Sequence, residues 1–337
     1  QQCPSCTLSS LRTIKENAMR QYNNILVIIE PKKDRQLALE RAIEIIHYNP
    51  RVTITALRLI YDFSNDVPFI GKKSEITTHH DVEEVTKIEL DSIVKSVLEK
   101  HHESADVASR IKTLVKWTRD VSEGMLVEAN SGNYDLIIKG ANHHGILDSI
   151  IFTPHDWNLL RHANIPVIIA KEHEWSEKSS IVIAVDFTSN EKQILNVLLL
   201  REAQALSTIT KAPIHIVNSA PVVLPTVMLE VPNYAPELYA ESVLAEHKKR
   251  ILDFAKKHNI PEENCHIAEG MPDDVLPKLC KRLNAATVYI GSHGRSGVKA
   301  ALIGNTCEEI VDYINADLYV LNTTTVKSDA TSAHTQE

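Results

Sequence analysis

No apolar run in this chain is long enough to cross a bilayer, and its first residues have no apolar core of the signal-peptide kind. Cysteine is scarce. The five cysteines, Cys3, Cys6, Cys265, Cys280 and Cys307, are odd in number and irregular in spacing, which excludes a secreted disulfide framework and points to a reducing, cytoplasmic setting. The C-x-x-C of Cys3-Pro-Ser-Cys6 stands alone. A zinc site would want a second pair, and a redox motif would want a strand before it and a helix after it. Positive charge is in deficit: the formal net charge is -8, which argues against broad binding to nucleic acid or anionic membranes. Aromatic residues make up 5%, too few for base-stacking platforms. No Ser-His-Asp arrangement, metal cluster or activated nucleophile is visible, so a binding protein is expected in preference to an enzyme.

What is present is an ordinary globular composition, 43% hydrophobic and 24% charged, in 337 residues, enough for two domains of common size. After a polar stretch, 1–20, expected to lie outside the fold, Asn24 to Glu30 reads as a strand apolar on both faces, as in a central parallel sheet. Helical patterns at 36–47, 82–100, 121–130 and 156–162 alternate with strands at 52–57, 111–115, 135–139 and 166–170. A short charged linker, 171–179, follows, and the pattern restarts. Strands are expected at 181–186, 214–217, 265–268, 287–290 and 317–321, with helices at 192–208, 237–258 and 274–283 and another after Gly304. The polar remainder, 323–337, is expected to be disordered. Alternating strands and helices give a parallel, doubly wound α/β sheet.

The chain is therefore one internal repeat of about 150 residues. Shifting Asp135–Ala170 by 151 positions lays it without gaps on Ala286–Leu321, with Gly140 over Gly291 and Asn164 over Asn315. The stretch Gly291-Ser292-His293-Gly294-Arg295, continuing to Gly304-Asn305-Thr306, follows a strand and precedes a helical pattern. Glycines there allow close backbone approach, and free N–H groups at a helix start attract phosphate.

The spacing G-x2-G-x9-G, here Gly291, Gly294 and Gly304, resembles the nucleotide motif of the universal stress proteins. Val182-Ile183-Ala184-Val185-Asp186 is similar to that family's first strand with its terminal aspartate. The tandem layout, with Ile151 to Trp157 in the first half and Gly304-Asn305-Thr306 in the second, most resembles the two-domain, E-type branch of gamma-proteobacteria. The resemblance covers about residues 21–322 and implies two tandem Rossmann-like (adenine nucleotide alpha hydrolase-like) domains, 21–172 and 178–322. Each is then a five-stranded parallel sheet of order 3-2-1-4-5 with helices on both faces. It further implies that the halves pair as an intramolecular pseudo-dimer with their fifth strands antiparallel, and that the second half binds ATP or a related nucleotide. Asp186 then lies beside the loop that begins at Gly291, since ligands of such sheets bind beyond the strands' carboxyl ends.

The sequence departs from the family pattern in two places. Asn305 stands directly after the last glycine, where the family has Ser or Thr, and Thr306 follows. The first half reads Gly140-x2-His143-x9-Thr153 followed by Pro154, which lacks an N–H, and Glu30 replaces the aspartate. The first half is therefore not expected to hold ATP by this loop.

Each site residue also has a plainer reading. Gly291, Gly294 and Gly304 either cradle phosphate or only shape a connection. Arg295 pairs with a phosphate or is solvated, and His293 contacts a ribose or phosphate or makes an ordinary loop hydrogen bond. Asp186 takes a sugar or base hydrogen bond or caps its turn. By the resemblance Val217 lines a base pocket; otherwise it is core. The adjacent histidines, His79-His80, His101-His102 and His143-His144, project in different directions and read as surface residues. The apolar, proline-bearing segment 221–236 overhangs the second half's cleft, either as a lid over an apolar or sugar-lipid ligand or as packing. A slow ATPase is the remaining alternative.

Overall fold

The structure, a computed structural model, describes residues 22–31, 33, 35–61, 79–141, 153–220, 236–292 and 313–322. In the first half the order is β1 (Asn24–Ile28), α1 (Leu37–Tyr48), β2 (Thr53–Tyr61), α2 (His79–Lys100), α3 (Ala105–Ser109), β3 (Ile111–Thr118), α4 (Val121–Ser131), β4 (Leu136–Gly140), α5 (Pro154–His162) and β5 (Val167–Ala170). The second half runs β6 (Ser180–Ala184), α6 (Asn190–Thr210), β7 (Ile214–Ala220), α7 (Pro236–Lys257), β8 (Cys265–Glu269), α8 (Pro272–Arg282), β9 (Ala285–Ser292) and β10 (Asp317–Asn322). The predicted elements are present, though β2 and β3 run further than their apolar cores. The helix expected after Gly304 lies outside the described residues; Ile314, expected on its core face, is buried in the non-helical stretch before β10.

The ten strands among the described residues form one sheet, in the order β3-β2-β1-β4-β5-β10-β9-β6-β7-β8. Each half thus has the order 3-2-1-4-5. Pairings within a half are parallel, and the halves meet where β5 pairs antiparallel with β10, Ile168 opposite Tyr319. The strands are apolar on both faces because helices cover both. Residues of α1, α2, α6 and α7 close one core over the whole sheet, and those of α4, α5 and α8 close the other.

Buried polar groups cross the seam. Glu202 of α6 is fully buried, and its Oε2 accepts from the hydroxyls of Tyr22 (2.6 Å), in the first half, and Tyr319 (2.8 Å), in β10. Asp317, also fully buried, accepts from the Lys171 backbone N–H (2.7 Å) and from Trp175 Nε1 (2.9 Å). It pairs with Arg41 Nε of α1 at 2.7 Å, and the Arg41 guanidinium lies 4.6 Å from the Trp175 ring centroid. The segment read as a charged linker is therefore tied into the seam. Its lysine, Lys171, is 1% exposed and donates Nζ to the carbonyl of Ile314. A buried carboxylate needs such donors, since leaving one unpaired costs several kcal/mol, roughly 3–5 for a broken buried pair.

Candidate functional site

The order of strands reverses between β1 and β4 in the first half and between β6 and β9 in the second. The carboxyl ends of these strands are where an open α/β sheet takes its ligand.

In the first half this place is filled from within. Lys139, near the end of β4 and only 4% exposed, puts Nζ 2.8 Å from Oε1 of Glu30 and 2.7 Å from Oδ1 of Asp156. Burial works against the Lys139 ammonium, but the Asp156 and Glu30 charges outweigh it and raise its pKa above the usual lysine value. The other oxygen of Asp156 accepts from the N–H (2.7 Å) and hydroxyl (2.8 Å) of Thr153, while Thr153 Oγ1 accepts from the Asp156 N–H at 3.3 Å. This capping box satisfies the start of α5, with Pro154 as the first helical residue, so the helix end that would attract phosphate already faces a carboxylate of its own chain. The adjoining cleft, lined by Glu30, Lys33, Arg35, Gln36 and Gly140, holds about 20 Å³. That is about the room a single water needs.

In the second half Ile290 occupies the position equivalent to Lys139 under the 151-residue shift. Asp186 lies two residues beyond β6 with its side chain 44% exposed. Oδ1 accepts from the Thr188 N–H (2.8 Å), the turn cap, and Oδ2 pairs with Lys192 Nζ at 2.5 Å. Burial pushes the Asp186 carboxyl up, but the bonds from Lys192 and Thr188 prevail and hold it below the usual carboxylate range. Gly291, at the end of β9, is required by packing. A Cβ there would lie 2.2 Å from Leu195 Cδ2 and 2.8 Å from its Cγ. Val217 is wholly buried, with 0% exposure, in the same core cluster as Val182 and Val288. His293, Gly294, Arg295, Gly304, Asn305 and Thr306 lie outside the described residues, as do His143, His144 and the segment 221–235. His80, His101 and His102 are exposed.

The structure adds groups that the sequence did not single out. Asn218, next to Val217, donates Nδ2–H to the Val185 carbonyl (2.8 Å) and accepts at Oδ1 from His247 Nδ1 of α7 (2.5 Å). With the amide orientation fixed by Val185, the hydrogen of a neutral His247 is on Nδ1 and its Nε2 is left as an acceptor. One turn later Arg250 reaches the Phe187 carbonyl at 3.0 Å. These partners lie 29 and 63 positions apart, and no spacing rule would find them. Ser122 Oγ and His155 Nδ1 also meet, at 2.5 Å, on the exposed start of α4 and α5.

The arrangement defines a two-domain, doubly wound α/β protein with a strand-order reversal in each half. The chain belongs to the universal stress protein family, whose sequence profile matches residues 21–171 and again 179–322. Over 311 residues it is 33% identical to Universal stress protein E of Escherichia coli (strain K12), covering 90% of this chain and 95% of that one. It is 32% identical over 307 residues to Universal stress protein E of Photorhabdus laumondii, covering 90% and 96%. Among solved structures, one from Pseudomonas aeruginosa UCBPP-PA14 assigned to the universal stress proteins superposes with a TM-score of 0.68 at 25% identity, covering 94% of this chain and all of that one. A universal stress protein from Archaeoglobus fulgidus shares the fold with a TM-score of 0.58 at 17% identity, over 90% of this chain and 100% of that one. Among the described residues no helix is long and apolar enough to cross a membrane.

Proposed function

We propose that this chain is a cytoplasmic regulatory binding protein that takes ATP or a related nucleotide in its second half and not in its first. The observation that carries the reading is the contrast between the two strand-order reversals. In the first, Lys139 and Asp156 satisfy each other and the start of α5. In the second, an isoleucine stands in place of the lysine, Asp186 remains part-exposed, and the sequence keeps Gly291, Gly294 and Gly304. On this reading Asp186 and the His247 imidazole contact the nucleoside. His293, Gly294, Arg295, Gly304, Asn305 and Thr306 surround the phosphates, with Thr306 supplying the hydroxyl that Asn305 lacks.

Equilibrium titration of the full chain with ATP should give one site per chain, lost in Gly294→Val and unchanged in Thr153→Ala. Two equivalents, or binding that survives Gly294→Val, would overturn it. Mass spectrometry of ligand released from purified protein separates the alternatives, with an acyl compound favouring the apolar carrier. Turnover abolished by Gly294→Val would favour the slow ATPase.

A further inference from the structure

The histidine doublets are adjacent along the chain. The structure brings together two others that the sequence separates by 51 positions, His215 of β7 and His266 of β8. Val217 is in register with His266, so His215, two residues earlier, stands on the same face of the sheet. Nδ1 of His215 lies 2.9 Å from Nε2 of His266, with ring centroids 5.1 Å apart and planes tilted by 33°. Both side chains are half-buried, toward the amino ends of their strands and away from the Asp186 edge.

We propose that His215 and His266 form a two-imidazole site for a divalent first-row transition-metal ion such as Cu²⁺. Imidazole nitrogens bind such ions at about 2.0–2.1 Å. Two bonds of that length at a right angle set the nitrogens about 2.9 Å apart, whereas a tetrahedral angle spreads them to roughly 3.3 Å. The observed 2.9 Å is a hydrogen-bond separation in the metal-free pair, and it is short enough for both nitrogens to reach one ion. In the metal-free pair one nitrogen donates a proton to the other. Metal binding replaces that hydrogen bond: the donor ring moves its proton to its other nitrogen and both rings turn their lone pairs from the N···N line toward the ion, so neutral rings bind without net proton release. Both rings are half-buried, and Arg282 lies close enough to act on His266. No group of three or more His, Cys, Asp or Glu side chains forms a metal site among the described residues, so water completes the coordination and the ion exchanges readily. Arg282, at the end of α8, opposes the cation.

The test is titration of the full-length protein with CuCl₂ at neutral pH, followed by NMR of its histidine ring signals. The first equivalent should broaden His215 and His266 before any other histidine. By calorimetry, His215→Gln and His266→Gln should each weaken this binding by no less than the roughly 10–100-fold that loss of a supporting partner costs. Arg282→Gln should tighten it severalfold. First broadening at other histidines, with these two rings unaffected, would overturn the proposal. So would a folded His266→Gln protein that binds Cu²⁺ like the parent. If a variant fails to fold, the NMR titration of the unaltered protein decides alone.

Discussion

Glycine 291 and glycine 140 occupy equivalent places in the two halves, yet their surroundings make opposite predictions. A Cβ on Gly291 meets Leu195 at 2.2 Å, whereas one on Gly140 meets no atom of the described residues nearer than 3.9 Å. Gly291→Ala should therefore destabilise the protein by about 1–3 kcal/mol, as overpacking does, and combined with Leu195→Ala it should cost less than the sum of the two single changes. Gly140→Ala should stay within about 0.5 kcal/mol of the parent in urea melts. Lysine 139 is the other decisive residue. Lys139→Met leaves two carboxylates facing each other without a cation, and its unfolding free energy should fall by roughly 3–5 kcal/mol. A fall of less than about 1 kcal/mol would mean that Glu30 and Asp156 find other donors.

At the scale of elements, the strap formed by 171–175 adds a dependence on pH. His173 lies in this strap beside Asp317 and Arg41. Burial lowers its pKa most; Asp317 acts to raise it, and Arg41 reinforces the lowering, so the folded-state value lies below the ordinary 6.5. The unfolded chain thus takes up a proton first as pH falls. The strap's contribution is full above about pH 6.5 and is lost as pH drops from there toward the folded-state value. Urea midpoints measured from about pH 7.5 down to about pH 5.5 should decline, and His173→Gln should flatten part of that decline. Most elements were legible because each is a continuous apolar strand or a periodic helix, as in Asn24–Ile28 and Leu37–Tyr48. The strap was not legible: a run of charges reads as solvated, and only the fold reveals that Lys171 and Trp175 meet Asp317, about 140 positions on. The internal filling of the first site was half legible. Pro154 and the missing glycines were visible in the sequence, but the Lys139–Asp156 pair depends on side chains meeting across a strand-to-helix connection. Asn218–His247 and His215–His266 likewise join residues whose separation follows no local period.

For the whole molecule, one continuous sheet and two buried polar clusters across its seam imply a single cooperative unit. Scanning calorimetry should show one transition with equal calorimetric and van't Hoff enthalpies; two resolved transitions would mean that the halves melt independently. Light scattering should give the 37.7 kDa of one chain. Obligate dimers would count against a self-contained pair. The antiparallel meeting of β5 and β10 has a consequence for subunit exchange. Halves that found each other by diffusion could trade partners with any protein offering a matching edge. Joined in one chain they meet at a far higher effective concentration, and each blocks the edge of the other. The pairing is fixed when the chain is synthesised, so a half without the glycine loop stays matched to one that has it.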